Sequence, residues 1–76
     1  MKVGDKVLVK EDPFFGSEGK TGTVVWYDKS DGSWLVDVND FKGMGHRGQL
    51  SAPKEISEQL EDSCLFYDED QLAEEN

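Results

Sequence analysis

A small, mainly β domain is the fold class that this sequence of 76 residues predicts. Residues 23–27 and 33–38 are rich in β-branched and aromatic side chains, and residues 28–32 between them are turn formers. That order is typical of a β-hairpin. Glycine-rich stretches lie on both sides of the hairpin, and a short segment near its C-terminal side has helical spacing. The length suits a single domain over residues 1–76.

The first strand is predicted at residues 6–10, where valines alternate with other side chains. Residues 11–22 hold one proline and three glycines, so they are expected to form a long loop. Phe14 and Phe15 within that loop are expected to fold back over the core, because large rings contribute much of the core of a small domain.

A short amphipathic helix is predicted at residues 53–61, after a second glycine-rich loop at residues 39–48. Proline suits the first turn of a helix. Ile56, Gln59 and Leu60 then follow the i, i+3, i+4 spacing of one helix face. The acidic residues of this segment are expected to lie mostly off that apolar stripe.

The rest of the chain is predicted to close the sheet. Residues 63–72 are expected to form closing strands, with 64–67 as the clearest strand and Leu72 as a last core anchor. Residues 73–76 are expected to fray, since chain termini are often poorly ordered.

The net charge of −9 is unevenly distributed along the chain. Residues 1–54 carry eight acidic and eight basic side chains, so their charges cancel. Residues 55–76 carry nine acidic side chains and no basic one, which indicates a dedicated electrostatic surface. The nine acidic residues are Glu55, Glu58, Glu61, Asp62, Asp68, Glu69, Asp70, Glu74 and Glu75.

Several functional classes find no support in the sequence. Cys64 is the single cysteine, so an intramolecular disulfide and a cysteine-rich zinc site are excluded. The opening MKVGDKV lacks the apolar segment of a secretory signal, and no apolar run approaches the roughly 18 residues of a membrane span. We therefore expect a cytoplasmic protein without a membrane partner.

Catalysis is not expected either. Cys64 and His46 are the one imaginable pair of nucleophile and base, but Cys64 lies in an apolar strand, where a thiol is usually inert. The sequence contains no phosphate-binding glycine motif and no calcium-loop spacing. No catalytic residue, cofactor or metal site is predicted.

Five segments carry a resemblance to small SH3-like barrel proteins of phages and bacteria, including domains related to the KOW and mind-bomb types. They are VGDKV at 3–7, GKTGTVV at 19–25, WLVDV at 34–38, GMGH at 43–46 and CLFYDEDQL at 64–72. The resemblance implies a partly open barrel of about five short strands. Residues 1–50 would be a charge-balanced β-scaffold, and residues 51–62 an acidic helical insertion before the last strands.

In size and charge the chain is also similar to phage host-takeover proteins that imitate DNA. This resemblance implies a basic nucleic-acid-binding protein as partner, such as the nucleoid protein HU or RNA polymerase, in the cytoplasm of a host cell. DNA carries one negative charge per about 1.7 Å of helix axis. The nine carboxylates, gathered on one face, would meet the Lys and Arg side chains that hold phosphates. The alternative is that they only keep the domain soluble.

The second glycine-rich loop is a candidate for a secondary contact with a partner. Phe41 and Met44 offer apolar surface, and His46 and Arg47 could meet an anion. The alternative is a simple connection in which His46 satisfies local backbone groups.

Four aromatic residues, Trp26, Tyr27, Trp34 and Tyr67, could form a stacking platform, but most of them are expected in the core. Direct nucleic-acid binding is not expected, because the chain lacks a basic footprint. Two rivals to DNA mimicry stay open. One is a protein-interaction module that uses loop and aromatic residues, and the other is an accessory protein that forms a homodimer.

Overall fold

The computed structural model describes residues 1–41, 53–58 and 63–75. These residues form five strands, one short α-helix and one 3-10 helix. The elements are β1 (Lys6–Val9), β2 (Thr21–Asp28), β3 (Ser33–Val38), α1 (Lys54–Ser57), β4 (Cys64–Tyr67), the 3-10 helix (Glu69–Gln71) and β5 (Leu72–Glu74).

The five strands form one antiparallel sheet in the order β4-β3-β2-β1-β5, and this sheet is not closed. The mainly β fold, with a short helix before the last strands, is therefore confirmed. The β2–β3 hairpin is also confirmed, with Val24 opposite Val36 and Tyr27 opposite Trp34. The register shifts between Val24 and Trp26, so Val25 is the extra residue of a bulge.

The alternation of side chains along the strands produces two apolar clusters. The main core contains the alternating residues of β1 and β3, together with Leu72, whose role as a core anchor is confirmed. Its buried members are Val7, Val9, Val24, Trp34, Val36, Val38, Phe41, Leu65, Tyr67 and Leu72. The second cluster contains buried Leu35 and Cys64, on which Val25, Trp26, Ile56 and Phe66 pack. Ile56 thus fixes α1 against the β3–β4 side of the sheet.

The four candidate platform residues are divided between the core and its margins. Trp34 and Tyr67 are buried, as the alternation predicts. Trp26 and Tyr27 are half-buried, and each contacts another ring. The ring centroids of Trp26 and Phe66 lie 6.3 Å apart, and those of Tyr27 and Trp34 lie 4.3 Å apart. The four rings therefore do not form one exposed stacking surface.

The position of Phe14 and Phe15 differs from the prediction. Phe14 is 85% exposed and Phe15 is 41% exposed, so neither ring folds over the core. The main core is already filled by the ten buried side chains of the strands and of Phe41. The loop turns outward at these two residues.

The predicted fraying from residue 73 onward is also wrong for the described residues. Ala73 lies opposite Leu8 and Glu74 lies opposite Val7 in the β1–β5 ladder. The amide of Glu75 continues the pattern by donating to the carbonyl oxygen of Lys6. The reason is that β1 pairs with β2 on one side only, and its other edge has backbone groups that need partners.

The predicted helix lies only partly in the described region. Lys54–Ser57 is helical, while Gln59 and Leu60 fall outside the described residues. Among the residues that the structure describes, no helix is long and apolar enough to cross a membrane.

The close packing of β2 against β3 leads to a prediction at Gly22. A Cβ atom at this position would lie 2.5 Å from the carbonyl oxygen of Asp37 and 2.7 Å from Cγ1 of Val36. Because the first of these is backbone, β3 must shift to admit even one methyl group. We expect Gly22→Ala to lower the free energy of unfolding by about 1–3 kcal/mol in a urea titration.

The neighbouring change Thr23→Ala is the control, since Thr23 is half-buried and its replacement adds no atom. Thr23→Ala should lower the free energy of unfolding by less than half as much as Gly22→Ala. Equal stability of Gly22→Ala and the wild type would contradict the close approach of the two strands.

Candidate functional site

A buried carboxylate, Asp12, organises the loop between β1 and β2. It is 5% exposed and accepts hydrogen bonds from the amides of Phe14, Phe15 and Ser17 at 3.1, 2.9 and 3.0 Å. The side chain of Ser17 also donates to it. Asp followed by Pro is a common start of such a turn, since Asp can bond the backbone ahead of it and Pro13 fixes its own φ.

Ser17 connects this loop to β4. The Ser17 Oγ atom lies 2.6 Å from the Tyr67 hydroxyl oxygen, and both residues are buried. Because the single hydroxyl proton of Ser17 goes to Asp12, Tyr67 is the donor to Ser17. The chain of hydrogen bonds therefore runs from Tyr67 through Ser17 to Asp12. We call these three residues the loop network.

The loop network changes the pKa of two of its members. Burial would raise the pKa of Asp12, but hydrogen bonds from the Ser17 side chain and from the amides of Phe15, Ser17 and Phe14 outweigh it. They hold the pKa of Asp12 below its ordinary value. Burial raises the pKa of Tyr67 to about 12; the Ser17 hydrogen bond opposes this rise and the Asp12 charge adds to it. Asp12 is therefore ionised and Tyr67 neutral at pH 7.

The 3-10 helix after β4 is fixed to the same loop. The amide of Lys10 donates to the carbonyl oxygen of Gln71 at 2.7 Å, and Nε2 of Gln71 donates to the carbonyl oxygen of Glu11 at 3.3 Å. The Asp68 side chain accepts from the Gln71 amide, and the Gln71 side chain accepts from the Asp68 amide, so the two close a capping box. The loop and the 3-10 helix therefore hold each other in place.

A cleft of about 530 Å³ opens between the β2–β3 turn and the end of β4. Phe66 and Tyr67 of β4 line it together with carboxylates from the β2–β3 turn and from Asp68. Among the described residues that line it, none is Lys or Arg, although Lys29 lies exposed in the same turn. The lining residues are Asp28, Ser30, Asp31, Ser33, Phe66, Tyr67, Asp68 and Gln71.

Serine side chains fix the two carboxylates of the β2–β3 turn. Asp28 accepts from the amide and hydroxyl of Ser30 at 2.9 and 2.6 Å. Asp31 accepts in the same way from Ser33 at 3.0 and 2.6 Å. In the sequence these two acids are recognisable only as turn formers. Their closeness to Asp68 depends on the β3–β4 pairing, which no local pattern in the sequence reveals.

Three of the nine predicted acidic residues lie beside this cleft. Asp68, Glu69 and Asp70 are exposed at the start of the 3-10 helix and within it. Together with exposed Asp31, which lines the cleft as Asp68 does, they form a group of four carboxylates, which we call the acidic end. The adjacent carboxylate of Asp28 is buried.

The other described acids of this set lie elsewhere, so the predicted acids do not all share one face. Glu55 and Glu58 are exposed at α1, and a carboxylate oxygen of Glu58 lies 3.8 Å from Nζ of Lys54. Glu74 and Glu75 lie at β5, on the opposite edge of the sheet from β4, and Glu74 Oε1 is 2.9 Å from the Met1 amine. The reason is that β5 crosses to pair with β1. Glu61 and Asp62 lie outside the described residues.

Of the second predicted contact, around the glycine-rich loop, the structure describes only Phe41. This side chain is 8% exposed and belongs to the main core, where it packs beyond the end of β3. Met44, His46 and Arg47 lie outside the described residues. Within the three described ranges, no group of three or more His, Cys, Asp or Glu side chains could hold a metal ion.

Comparison of the chain with protein family models, with curated proteins and with solved structures finds no match. The resemblances to SH3-like barrels and to DNA-mimicking proteins therefore stay predictions from the sequence.

Asp12 provides a pH-dependent test of the loop network. Its folded pKa is depressed, so its contribution to stability is present above its unfolded pKa of about 4 and is lost as pH falls through the lower folded value. Asp12→Asn removes the charge and places a side-chain amide next to the backbone amides that donate to Asp12. We expect it to lower the free energy of unfolding at pH 7 by about 2–3 kcal/mol in a denaturant titration.

Below the folded pKa of Asp12 the wild type also lacks the charge, so the difference between the two proteins should shrink as pH falls. Glu11→Gln is the matched control, because Glu11 is an exposed neighbour. A stability difference that stays constant from pH 7 to pH 2 would contradict an ionised Asp12 in the folded protein.

Proposed function

We propose that this protein is a non-enzymatic binding protein that imitates DNA and occupies the basic surface of a nucleic-acid-binding protein. The candidate partners are an HU-like nucleoid protein and RNA polymerase. Binding would compete with nucleic acid for the same Lys and Arg side chains and so inhibit the partner. The observation that carries this proposal is the acidic end, a group of four exposed carboxylates of which Asp31 and Asp68 line the cleft.

The acidic end is suited to a cationic partner because its four carboxylates are exposed and two of them are held by hydrogen bonds. Within the described residues, the carboxylates of Asp31, Asp68, Glu69 and Asp70 make no ion pair with Lys or Arg. Asp31 is held by Ser33, and Asp68 is held by the capping box. An incoming guanidinium can then form charge-assisted hydrogen bonds with little cost of ordering the acids.

The remaining acids contribute at longer range. A net charge of −9 on a chain of 76 residues attracts a positively charged partner before contact and speeds association. Because the seven described C-terminal acids occupy three places, those at α1 and β5 supply this general attraction. The direct contacts are assigned to the acidic end.

A second candidate function is a protein-interaction module in which the acids serve only solubility. The exposure of Phe14 favours it, since a large exposed ring is a common feature of interfaces. In that case neutralising the acidic end would leave binding unchanged, whereas replacing Phe14 would weaken it.

Salt-dependent binding tests the proposal. We expect the chain to bind purified HU or purified RNA polymerase in calorimetric titrations at low salt, with duplex DNA as a competitor. The affinity should fall as salt rises, because the contacts are between exposed charges. Glu69→Gln/Asp70→Asn should weaken binding at low salt by about tenfold, with a shallower salt dependence.

The charge-matched control is Glu55→Gln/Glu58→Gln, which removes the same two charges at α1. It should weaken binding by no more than about twofold, through the general field alone. If both variants lost affinity equally, the binding would depend on net charge and not on the acidic end. Absence of binding to both proteins at low salt would overturn the proposed function.

A further inference from the structure

The turn at the tip of the β1–β2 loop holds a large apolar ring in water. Phe14 is 85% exposed, and the adjacent Phe15 is 41% exposed. Exposed single apolar residues are common, but two adjacent phenylalanines on a loop tip are a concentrated apolar surface. Neither ring belongs to the main core, whose described buried members come from the strands and from Phe41.

The backbone that carries these rings is held at its base. The amides of Phe14 and Phe15 both donate to the buried carboxylate of Asp12. Pro13 fixes one φ angle before them, and Gly16 follows with a φ of +78°, which an L side chain rarely adopts. The rings are therefore presented on a pre-formed turn, and a partner need not order the loop on binding.

The surroundings of the turn indicate the chemistry of the partner surface that would receive Phe14. Both arms of the loop contact the segment that leads into the acidic end, through Ser17 to Tyr67 and through Glu11 to Gln71. Because both ends of the loop are joined to the segment around Asp68, Glu69 and Asp70, we place the pocket that receives Phe14 beside these acids. Charge complementarity requires Lys or Arg side chains at the border of that pocket.

Charge disfavours a second copy of this chain as the partner that receives Phe14. Each copy carries a net charge of −9, and pairing through the loops would bring two acidic ends together. Like charges that face each other across an interface oppose association. A basic protein has no such penalty.

We infer that Phe14, flanked by Phe15, is an anchor that inserts into an apolar pocket bordered by Lys or Arg side chains on the partner protein. This inference rests on the proposed function and deepens it. The acidic end attracts and orients the partner, and the rings supply salt-independent affinity after contact. Aromatic anchors of this kind carry a large share of the binding energy of many interfaces.

Phe14→Ser tests the anchor against the same probes, purified HU and purified RNA polymerase. At every salt concentration the variant should bind about 30-fold more weakly than the wild type, the usual loss for an aromatic anchor. Its dependence on salt should equal that of the wild type, because the removed group is uncharged. Glu69→Gln/Asp70→Asn should instead change the salt dependence.

Val3→Ser is the matched control, because Val3 is 58% exposed and lies before β1, whereas Phe14 lies after it. It should bind within twofold of the wild type. Unfolding midpoints of both variants should equal the wild-type midpoint, since each removed side chain is mostly in solvent.

Binding of Phe14→Ser within twofold of the wild type would overturn the anchor and leave the proposed function intact. A wild-type dimer in light scattering that Phe14→Ser converts to a monomer would make a second copy the occupant, and would also overturn the anchor. Failure of the wild type to bind either probe at low salt would overturn both proposals together.

Discussion

The hydrogen bonds around the buried carboxylate of Asp12 are the interaction on which the rest of the described surface depends. A charge out of water is costly unless hydrogen bonds replace its hydration. Three amides and the Ser17 hydroxyl do so, and all of these donors belong to the loop between β1 and β2. The link from Ser17 to Tyr67 then joins this loop to β4. One carboxylate thus determines the shape of a long loop and its position beside the acidic end.

The architecture of the sheet explains why the acids divide as they do. Strand β4 forms one edge and β5 the other, and the 3-10 helix is the short connection between them. Acids in that connection lie beside the cleft, where the β2–β3 turn adds Asp31. Acids beyond it follow β5 to the far edge, where Glu74 meets the Met1 amine. Acids that are close together in the sequence therefore lie on separate surfaces, to which the proposal gives different functions.

Local patterns predicted the hairpin, the alternation along β1 and β3, and the anchor at Leu72, because each depends on neighbours in sequence. The outward position of Phe14 was not predicted, since the choice of side chains that fill the core depends on pairing between strands distant in sequence. Pairing of β5 with β1 was missed for the same reason: the free edge that orders Ala73 exists only after the sheet has formed. The nine acids were recognisable from charge alone, but their grouping depends on the topology.

The proposed function combines two forces that act at different distances. Charge acts before contact and weakens with salt, whereas apolar burial acts after contact and does not. Both rely on a loop that Asp12 holds rigid. Amide hydrogen exchange measured by NMR at neutral pH tests this rigidity most directly. If Asp12 holds the loop, the amides of Phe14, Phe15 and Ser17 should exchange about a hundredfold or more slowly than in an unstructured chain. Exchange of these three amides at unstructured-chain rates would contradict it.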